Sequence, residues 1–240
     1  MRTTRQDPAS APVAMVSGAT RGIGLAIARE LLAHGWRVSA GCRTLPHAGV
    51  DALPQQWLAC PFDAARPETE TAWVQATRSH FGRIDAIVHN AGVLSRQSVL
   101  QASSEDFDAL FEVNVKSPMR LTQLVWADLL AAPQGKVLVM ASLAGKRVRS
   151  ADASLYAMSK FAVLALAHGL RHCGAGTRVR ATAICPGFVA TDMASGVDAD
   201  LHAQLTQPED VARLARVALE LPPTASVAEI PVSWSIESQF

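Results

Sequence analysis

The sequence is poor in the residues that build disulfide-bonded, metal-bound or membrane-spanning proteins. It has four cysteines among 240 residues, none of them in a CxxC pair. Cysteines spaced in this way are expected to be reduced and structural. The longest apolar run, Phe161–Ala167, is far too short to cross a bilayer. The seven histidines are scattered without metal-ligand spacing, so we expect no metal site.

Charge of either sign is scarce as well. Charged residues make up 18% of the chain, and the formal net charge is +1. Without a basic or acidic excess, neither nucleic acid nor a membrane surface is an expected partner. The polar start, Met1–Ala11, is not followed by the apolar stretch of a signal peptide, so we expect a cytoplasmic protein. Residues 1–11 are predicted to form a flexible tail.

Apolar sequence is abundant and makes up 49% of the chain. Short runs typical of strands alternate with longer helical patterns, which predicts βαβ units. The expected fold is a single α/β domain over residues 12–240, with a mostly parallel seven-stranded sheet and helices on both faces. The predicted strands are Val13–Ser17, Arg37–Gly41, Gln55–Cys60, Ile84–His89, Lys136–Ala141, Val179–Cys185 and Glu229–Trp234. The predicted helices are Ile23–His34, Glu68–Phe81, Glu105–Leu130 with a bend at Pro118, Ser154–Cys173 and Pro208–Leu221.

A glycine-rich turn follows the first predicted strand and opens the first helix. Its glycines are Gly18, Gly22 and Gly24. Glycine allows a sharp turn and lets a pyrophosphate approach the backbone, and a helix N-terminus offers unpaired N–H groups to phosphate. Such a turn alone is weak evidence, but the strand before it and the amphipathic helix after it favour a dinucleotide site.

The single tyrosine, Tyr156, lies four residues before Lys160 in a predicted helix. That spacing puts both side chains on one face, one turn apart. A nearby ammonium favours the phenolate and lowers the tyrosine pKa from about 10, so that the phenol exchanges protons near neutral pH. Alone, such a pair is more often an ordinary surface pair. Its place just past the strand that precedes Ser142 favours catalysis.

Together, these motifs resemble those of the short-chain dehydrogenase/reductase family. The glycine turn of that family reads TGxxxGxG, and Ser17 stands here at the threonine. The resemblance implies a Rossmann-type doubly wound fold and a nicotinamide cofactor. It also implies that Ser142 hydrogen-bonds the substrate carbonyl, that Tyr156 transfers the proton, and that Lys160 contacts the ribose and tunes the phenol. The fourth catalytic match, Asn114, would hold a water between Lys160 and solvent.

The resemblance covers roughly residues 12 to 220 and assigns further residues to the cofactor. Asn90-Ala91-Gly92 matches the NAG motif of the family, and Asp63 is expected near the adenine amino group. Two features depart from the family. The segment between Thr191 and Pro208 is short, and the C-terminal segment Glu229–Phe240 lacks the glycine-rich sequence that is common there in the family. The residues expected to bind the cofactor are Gly18, Thr20, Arg21, Gly22, Ile23, Gly24, Arg43, Asp63, Asn90, Ala91, Gly92, Tyr156, Lys160, Pro186, Gly187, Val189 and Thr191.

The end of the second strand distinguishes NAD(H) from NADP(H). An acidic residue there would bind the ribose 2′-hydroxyl, whereas a basic residue accommodates a 2′-phosphate. The sequence has Cys42 at that position, followed by Arg43, and Arg21 lies in the glycine turn. Two arginines without a carboxylate suit a phosphate. We therefore expect NADP(H) over NAD(H), the alternative being that these arginines are solvated surface charges.

These features predict an NADP(H)-dependent oxidoreductase that interconverts a carbonyl and an alcohol by hydride transfer, with Tyr156 as general acid and base. Two alternatives stay open: a catalytically inactive NADP(H)-binding sensor, and an epimerase or dehydratase on the same scaffold. The expected substrate is a small molecule. Apolar loop residues point to a hydrophobic pocket; they are Leu143, Val148, Phe188 and Met193.

Two further features bear on ligands and partners. A basic cluster after the fifth strand, formed by Lys146, Arg147 and Arg149, is either a solvated loop or a contact for an anionic substrate tail. The predicted helix Ser154–Cys173 is apolar nearly all round, which leaves one face for a partner. In the family resembled, this helix and Glu105–Leu130 build a dimer interface. We expect a homodimer or a homotetramer.

Overall fold

In a computed structural model of the chain, which describes residues 10–45, 50, 52–194 and 198–236, strands and helices alternate. Of the expected tail only Ser10 and Ala11 are described, and the last residues of the expected domain, 237–240, also lie outside the described residues. The strands are Val13–Ser17 (β1), Arg37–Cys42 (β2), Trp57–Pro61 (β3), Ala86–His89 (β4), Lys136–Met140 (β5), Arg180–Pro186 (β6) and Glu229–Val232 (β7). The α-helices are Gly22–Ala33 (α1), Pro67–Phe81 (α2), Ser104–Phe111 (α3), Ser117–Ala131 (α4), Ser154–Cys173 (α5), Ala199–His202 (α6) and Pro208–Glu220 (α7).

The seven strands form one sheet in the order β3-β2-β1-β4-β5-β6-β7, and each neighbouring pair is parallel. The chain winds outward from β1 in one direction and from β4 in the other. This confirms the predicted doubly wound α/β fold. The order reverses between β1 and β4, where open parallel sheets bind ligands beyond the carboxyl ends of their strands.

Helices cover both faces of the sheet because its central strands are apolar on both sides. In β1, Ala14 and Val16 belong to a core layer shared with α1 and α7, whereas Met15 belongs to a layer shared with α2, α4 and α5. All residues of β1 and β2 are buried, as expected for strands inside a parallel sheet. The buried strands fix the positions of the loops that follow them.

The predicted helix Glu105–Leu130 divides into α3 and α4, which are joined by a π-helical turn over Glu112–Lys116. The N–H of Ser117 donates to the carbonyl of Glu112, five residues back instead of four. The structure therefore has a wider, π-helical turn just before Pro118, where the sequence predicted a bend at the proline. The proline contributes to this because it has no N–H for the carbonyl four residues back.

Three of the four cysteines, Cys42, Cys60 and Cys185, are buried in strands, and Cys173 is exposed at the end of α5. All four are free thiols. Burial raises the pKa of each of the three strand thiols, so they are unreactive structural residues. None of the helices in the described part of the chain is long and apolar enough to cross a membrane.

Candidate active site

A cavity of about 660 Å³ opens at the carboxyl ends of the strands, across the reversal point between β1 and β4. Its volume is in the range of small-molecule and cofactor sites. Two residues of the predicted set, Gly24 and Asn114, are not on its wall. The predicted residues that line it are Gly18, Thr20, Arg21, Gly22, Ile23, Arg43, Asp63, Asn90, Ala91, Gly92, Ser142, Tyr156, Lys160, Pro186, Gly187, Val189 and Thr191.

The turn between β1 and α1 depends on glycine. Gly18 has a φ of +67° and Gly22 a φ of +52°, a region that other residues rarely adopt. A Cβ on Gly24 would lie 2.2 Å from the Gly18 carbonyl oxygen, so the start of α1 can pack this closely against the turn only with glycine at position 24. α1 begins without a side-chain cap and without an acidic residue in its first turn. Its first N–H groups are therefore available to an anion.

The loop after β4 is fastened to the end of β1 by Ser17. Its hydroxyl accepts the N–H of Asn90 at 2.9 Å and that of Ala91 at 3.0 Å, and it donates to the Val88 carbonyl at 3.3 Å. The Asn90 amide donates back to the carbonyls of Ser17 at 3.0 Å and Gly18 at 3.3 Å. Sequence analysis assigned Ser17 no role of its own. The sequence did contain a signal for this role, since Ser17 is a polar residue at the end of a strand that is otherwise apolar.

The residues expected around the adenosine lie at the β2 and β3 end of the cavity. Arg43 is exposed and lines the wall, as does Asp63, whose carboxylate accepts a backbone N–H two residues on at 3.0 Å. Cys42 is buried, and burial raises the pKa of its thiol to about 11, so it offers no negative charge there. Arg21 donates to Asp192 at 2.7 Å. This exposed ion pair joins the glycine turn to the segment after β6, a contact that sequence analysis did not predict.

Ser142, Tyr156 and Lys160 meet on the wall beyond β5. The Ser142 hydroxyl donates to the Pro186 carbonyl at 3.2 Å, and it is near enough to the Tyr156 phenol to influence the pKa of that phenol. The Lys160 ammonium donates to the Met140 carbonyl at 2.9 Å and lies 5.6 Å from the centroid of the Tyr156 ring. Because the two carbonyls belong to β6 and β5, the sheet fixes the positions of the serine and the lysine.

A glycine brings the loop after β5 onto α5. Gly145 ends a short 3-10 turn that follows Ser142. A Cβ on Gly145 would lie 2.5 Å from the Lys160 carbonyl oxygen, a separation that a side chain does not permit. Gly145 therefore allows the serine loop to approach the helix that carries Tyr156. Sequence analysis missed it, although a glycine three residues after the serine was a visible signal.

The pKa values of the tyrosine and the lysine differ from the expectation based on their spacing. Burial raises the pKa of Tyr156 to about 12, and the nearby Ser142 hydroxyl offsets this only in part. Burial also lowers the pKa of Lys160 to about 8, against the opposing effect of Cys185. Desolvation of the charged form is thus the largest effect on each of the two pKa values. In the chain alone, the phenol is protonated at neutral pH.

Asn114 lies behind the cavity wall, in the π-helical turn. Its amide accepts the Val93 N–H at 2.9 Å and donates to the Val93 carbonyl and the Ser159 hydroxyl, both at 3.0 Å. A Cβ on Gly92 would lie 3.3 Å from Asn114 Oδ1 and 3.8 Å from Lys160 Nζ. The side chain of Asn114 therefore ties the loop after β4 to α5. A water held between Asn114 and Lys160 stays a prediction.

The π-helical turn is anchored to α2 by an ion-pair network. Arg120 donates to both carboxylate oxygens of Glu70, at 2.7 Å and 2.9 Å, and to Glu112 at 2.7 Å. Glu70 is only 1% exposed, so its charge requires this partner. The network fixes the turn that carries Asn114, and it joins residues 50 positions apart, beyond the reach of a local sequence pattern.

The wall beyond Tyr156 is partly apolar. Leu143, Phe188 and Met193 line the cavity, as the sequence predicted. Val148 is not part of the lining and is 55% exposed. This prediction is wrong because Val148 lies in the irregular segment after the 3-10 turn, where it faces solvent instead of the cavity.

The three residues of the basic cluster, Lys146, Arg147 and Arg149, do not all lie at the cavity. Arg147 and Arg149 line the cavity. Lys146 is outside it and pairs with Glu229 at the start of β7 at 2.5 Å, and His168 on α5 contacts the other oxygen of that carboxylate at 2.7 Å. Lys146 thus has a structural role, in that it holds the 3-10 turn against β7.

The cavity fits a nicotinamide dinucleotide by its own geometry. Its glycine turn leaves an uncapped helix N-terminus open to a pyrophosphate, and its two sides approach closely at the middle. A Cβ on Gly22 would lie 3.2 Å from the Thr191 side chain. A doubly wound sheet with this turn and a hydroxyl–phenol–ammonium group defines the class of dinucleotide-binding α/β proteins.

Comparison with known proteins gives the family. The family model for short chain dehydrogenase matches residues 12–202. The chain therefore belongs to the short-chain dehydrogenase/reductase family, and the resemblance read from its motifs is confirmed.

Relatives of known name include reductases and other oxidoreductases. Two agropine synthesis reductases of Rhizobium rhizogenes are 38% and 37% identical, over 90% and 95% of this chain. These matches span 51% and 53% of the relatives, so the chain is about half their length. Oxidoreductase UcpA of Escherichia coli is 31% identical over 82% of this chain and 74% of its own length.

Solved structures of similar proteins include complexes with NADP. A short chain dehydrogenase from Burkholderia cenocepacia in complex with NADP has a TM-score of 0.83 and 26% identity, with 95% of this chain and 99% of that chain covered. An alcohol dehydrogenase from Thermococcus sibiricus complexed with 5-hydroxy-NADP has a TM-score of 0.82 and 25% identity, with 95% and 100% covered. These similarities support a nicotinamide cofactor.

Proposed function

We propose that the chain is an NADP(H)-dependent oxidoreductase that interconverts a carbonyl and an alcohol. The observation that carries this proposal is the grouping of Ser142, Tyr156 and Lys160 on the wall of a cavity suited to a dinucleotide, with the Lys160 ammonium 5.6 Å from the centroid of the phenol ring. A sensor would need the dinucleotide cavity but not this polar group. The same group is what proton transfer at a carbonyl oxygen requires.

The roles of the residues follow from their donors and pKa values. The bound nicotinamide would supply the hydride in reduction and accept it in oxidation. The Ser142 hydroxyl, which donates to the Pro186 carbonyl in the chain alone, would redirect this hydrogen bond to the substrate carbonyl oxygen and so orient and polarise it. The Tyr156 hydroxyl, whose high pKa keeps it protonated, delivers the proton to that oxygen in reduction. Lys160 supports the negative charge that develops on the phenol and is expected to hold the ribose.

In oxidation, Tyr156 must accept a proton, which its pKa of about 12 opposes. Positive charge close to the phenolate lowers that pKa. Lys160 supplies one such charge, and oxidised nicotinamide is cationic. The chain is therefore expected to oxidise alcohols best at alkaline pH and to reduce carbonyls near neutral pH.

The preference for NADP(H) is supported by the charges at the β2 end of the cavity. Arg21 and Arg43 line it, and the side chain at the end of β2 is a buried thiol. A 2′-phosphate would compete with Asp192 for Arg21. Because an exposed ion pair contributes little free energy, such a competitor can displace it. The complexes of two structural neighbours with NADP or 5-hydroxy-NADP point the same way.

Assembly as a homodimer or homotetramer is supported by apolar side chains on the helices of one face of the sheet. Fractional exposure of 36% to 48% is large for such residues on neighbouring helices, and it indicates a surface that a partner covers. These side chains are Phe107 on α3, Met119 and Leu130 on α4, and Met158 and Phe161 on α5.

The decisive experiment follows NADPH absorbance at 340 nm with a panel of ketones and aldehydes. We expect oxidation with part of the panel, and a loss of about 10²–10⁴-fold in turnover in Tyr156→Phe. NADPH binding, measured by fluorescence titration, should stay within a few-fold of the parent. Tight NADPH binding without any oxidation would favour the sensor, and product formation without a net change in NADPH would favour the epimerase or dehydratase.

A further inference from the structure

One carboxylate connects the two parts of the chain that carry the catalytic residues. Glu229, the first residue of β7, accepts a hydrogen bond from the Lys146 ammonium at 2.5 Å, and its other oxygen lies 2.7 Å from His168 Nε2. Lys146 is the last residue of the segment 142–146, the serine loop, which begins with Ser142. His168 lies on α5, the helix that carries the catalytic tyrosine and lysine. The carboxylate therefore bridges the serine loop and α5.

The position of this carboxylate is fixed by the sheet. Glu229 pairs with Ala183, so β7 runs beside the second half of β6, which ends at Pro186. The Pro186 carbonyl accepts the Ser142 hydroxyl at 3.2 Å. β6 thus holds the serine directly, and through β7 it also holds the acceptor of Lys146. The serine loop is attached to the sheet at both of its ends.

The serine loop and α5 are also in direct contact. A Cβ on Gly145 would lie 2.5 Å from the Lys160 carbonyl oxygen. Besides burial, which raises it most, the pKa of the Cys185 thiol on β6 responds to the charges of Glu229 and of both lysines, Lys146 and Lys160. Because charges act strongly only at short range, the ion pair lies close to the catalytic lysine. A displacement of the loop at this place would move the serine relative to the phenol.

The ion pair between Lys146 and Glu229 is largely withdrawn from water. Each of the two side chains is 21% exposed, so solvent screens their attraction only in part. The hydrogen bond from Lys146 holds the pKa of the Glu229 carboxyl below its usual range, and His168 adds to this against the opposing effect of burial. A carboxylate bonded on both oxygens to ionisable donors holds its partners in a defined geometry.

We propose that Glu229 is a positioning residue for the reaction, which holds the Ser142 hydroxyl in place relative to Tyr156 through its contact with Lys146. The inference rests on the oxidoreductase activity proposed above. Glu229 is not in the cavity lining, so it acts from behind the wall. His168 provides the second attachment, and the carboxylate thereby sets the separation of the serine loop from α5. A misplacement of about 1 Å at a reacting group can cost roughly 100-fold in rate.

The test compares variants of this ion pair with a matched ion pair elsewhere. Glu229→Gln removes the charge and keeps the size, Lys146→Met removes the ammonium, and Lys146→Arg keeps the positive charge. The control is Glu30→Gln on α1, because the Glu30 side chain is 20% exposed and also contacts one cation and one histidine, Arg216 and His34. Neither Glu30 nor its two partners line the cavity.

The kinetic measurement uses a ketone or aldehyde that the parent reduces. Glu229→Gln and Lys146→Met should lower kcat and kcat/KM alike, by about 10- to 100-fold. KM for the carbonyl compound and the dissociation constant for NADPH should stay within about 2-fold of the parent, because the lost effect belongs to the transition state. Lys146→Arg should keep most of kcat. Glu30→Gln should lose stability in urea unfolding to a similar extent and keep the kcat of the parent.

Hydrogen exchange by mass spectrometry separates this inference from the proposed reaction, because it requires no turnover. The backbone N–H groups of Ala144, Gly145 and Lys146 all donate within the serine loop. In Glu229→Gln and Lys146→Met, the peptide that contains them should exchange about 10-fold faster, since the loop opens more often without its anchor. In Glu30→Gln it should exchange as in the parent.

The outcomes are distinct. If no carbonyl compound oxidises NADPH, the proposed reaction fails, and faster exchange confined to the serine loop still supports the anchoring role of Glu229. If Glu229→Gln does not fold, Lys146→Met decides in the same way. The inference is overturned if an active parent and its ion-pair variants share one kcat, if NADPH affinity falls as much as kcat, if Glu30→Gln loses the same activity, or if exchange of the serine loop is unchanged.

Discussion

The Ser17 hydroxyl accepts the backbone N–H of Asn90 at 2.9 Å, and the Asn90 side chain donates back to the Ser17 carbonyl at 3.0 Å. This reciprocal contact joins the ends of β1 and β4, between which the strand order reverses. The same hydroxyl accepts the N–H of Ala91. The floor of the cavity is thus held by one buried side chain.

Replacing Ser17 by alanine should weaken both the fold and cofactor binding. The N–H groups of Asn90 and Ala91 would lose their acceptor, which costs about 1–3 kcal/mol in the free energy of unfolding. The loop that faces the cofactor would also lose its anchor, so NADPH affinity should fall. Urea unfolding and fluorescence titration measure the two effects. Ser17→Thr keeps the hydroxyl and should retain most of both; an alanine variant as stable as the parent would contradict the role given to Ser17.

His89 makes the protein sensitive to acid. It ends β4, its Nε2 lies 2.7 Å from the Thr122 hydroxyl, and burial lowers its pKa to about 3 from the usual 6.5. Between these values the unfolded chain binds a proton that the folded chain does not, so stability falls as the pH falls from 6.5 towards 3. The contribution is on the order of 5 kcal/mol at most.

The measurement is the free energy of unfolding from urea titrations at pH 7, 6, 5 and 4, in the parent and in His89→Gln. The variant should lose less stability on acidification than the parent, whatever its stability at pH 7. Carboxylates titrate in both proteins and cancel in the comparison. Parallel pH profiles would show that His89 is not kept neutral by the fold.

The discrimination between NADPH and NADH should depend on Arg43. Loss of a charged donor to the 2′-phosphate should weaken NADPH binding about 10- to 100-fold in Arg43→Gln, with little change for NADH. Adding Cys42→Asp should favour NADH further, because a carboxylate there accepts the ribose hydroxyls and repels the phosphate. Dissociation constants from fluorescence titration test both steps.

Arg66→Gln is the control for this series, since Arg66 pairs with Glu68 on the surface and is not in the cavity lining. Its ratio of NADPH to NADH affinity should equal that of the parent. If Arg43→Gln also leaves the ratio unchanged, the 2′-phosphate is not bound at the end of β2.

The sequence predicted the fold well where local pattern and tertiary structure agree. α5 runs over Ser154–Cys173 as predicted, and β1 over Val13–Ser17, because a buried strand and an apolar helix are both marked by continuous apolar composition. The π-helical turn was missed. Pro118 indicated an irregularity, but the ion pairs that hold the turn in place join Arg120 to Glu70, and no helical periodicity records a contact across 50 residues.

The same limit applies to the site. Motif spacing located the glycine turn, the phenol and the ammonium. Within each motif the residues must lie a few positions apart to carry out their chemistry, so a local pattern is enough to find them. The Tyr156–Lys160 spacing predicted a lowered pKa for Tyr156, but burial raises it. The extent of this burial depends on all the loops around the cavity and not on the local spacing. The division of the basic cluster, with Lys146 bound to Glu229 on β7, likewise depends on a residue 83 positions away.

The exposed apolar side chains of α5 should form a contact between copies of the chain. Phe161 is 44% exposed and Met158 is 43% exposed, one turn apart on one face of the helix. Sedimentation velocity at micromolar concentration should give a dimer or tetramer, and Phe161→Glu should shift it towards the monomer, because a buried unpaired carboxylate opposes association. Val217→Glu on α7, at 47% exposure on the other face of the sheet, is the matched control and should assemble like the parent. A parent that sediments as a monomer, or equal dissociation by both variants, would show that α5 does not form this contact.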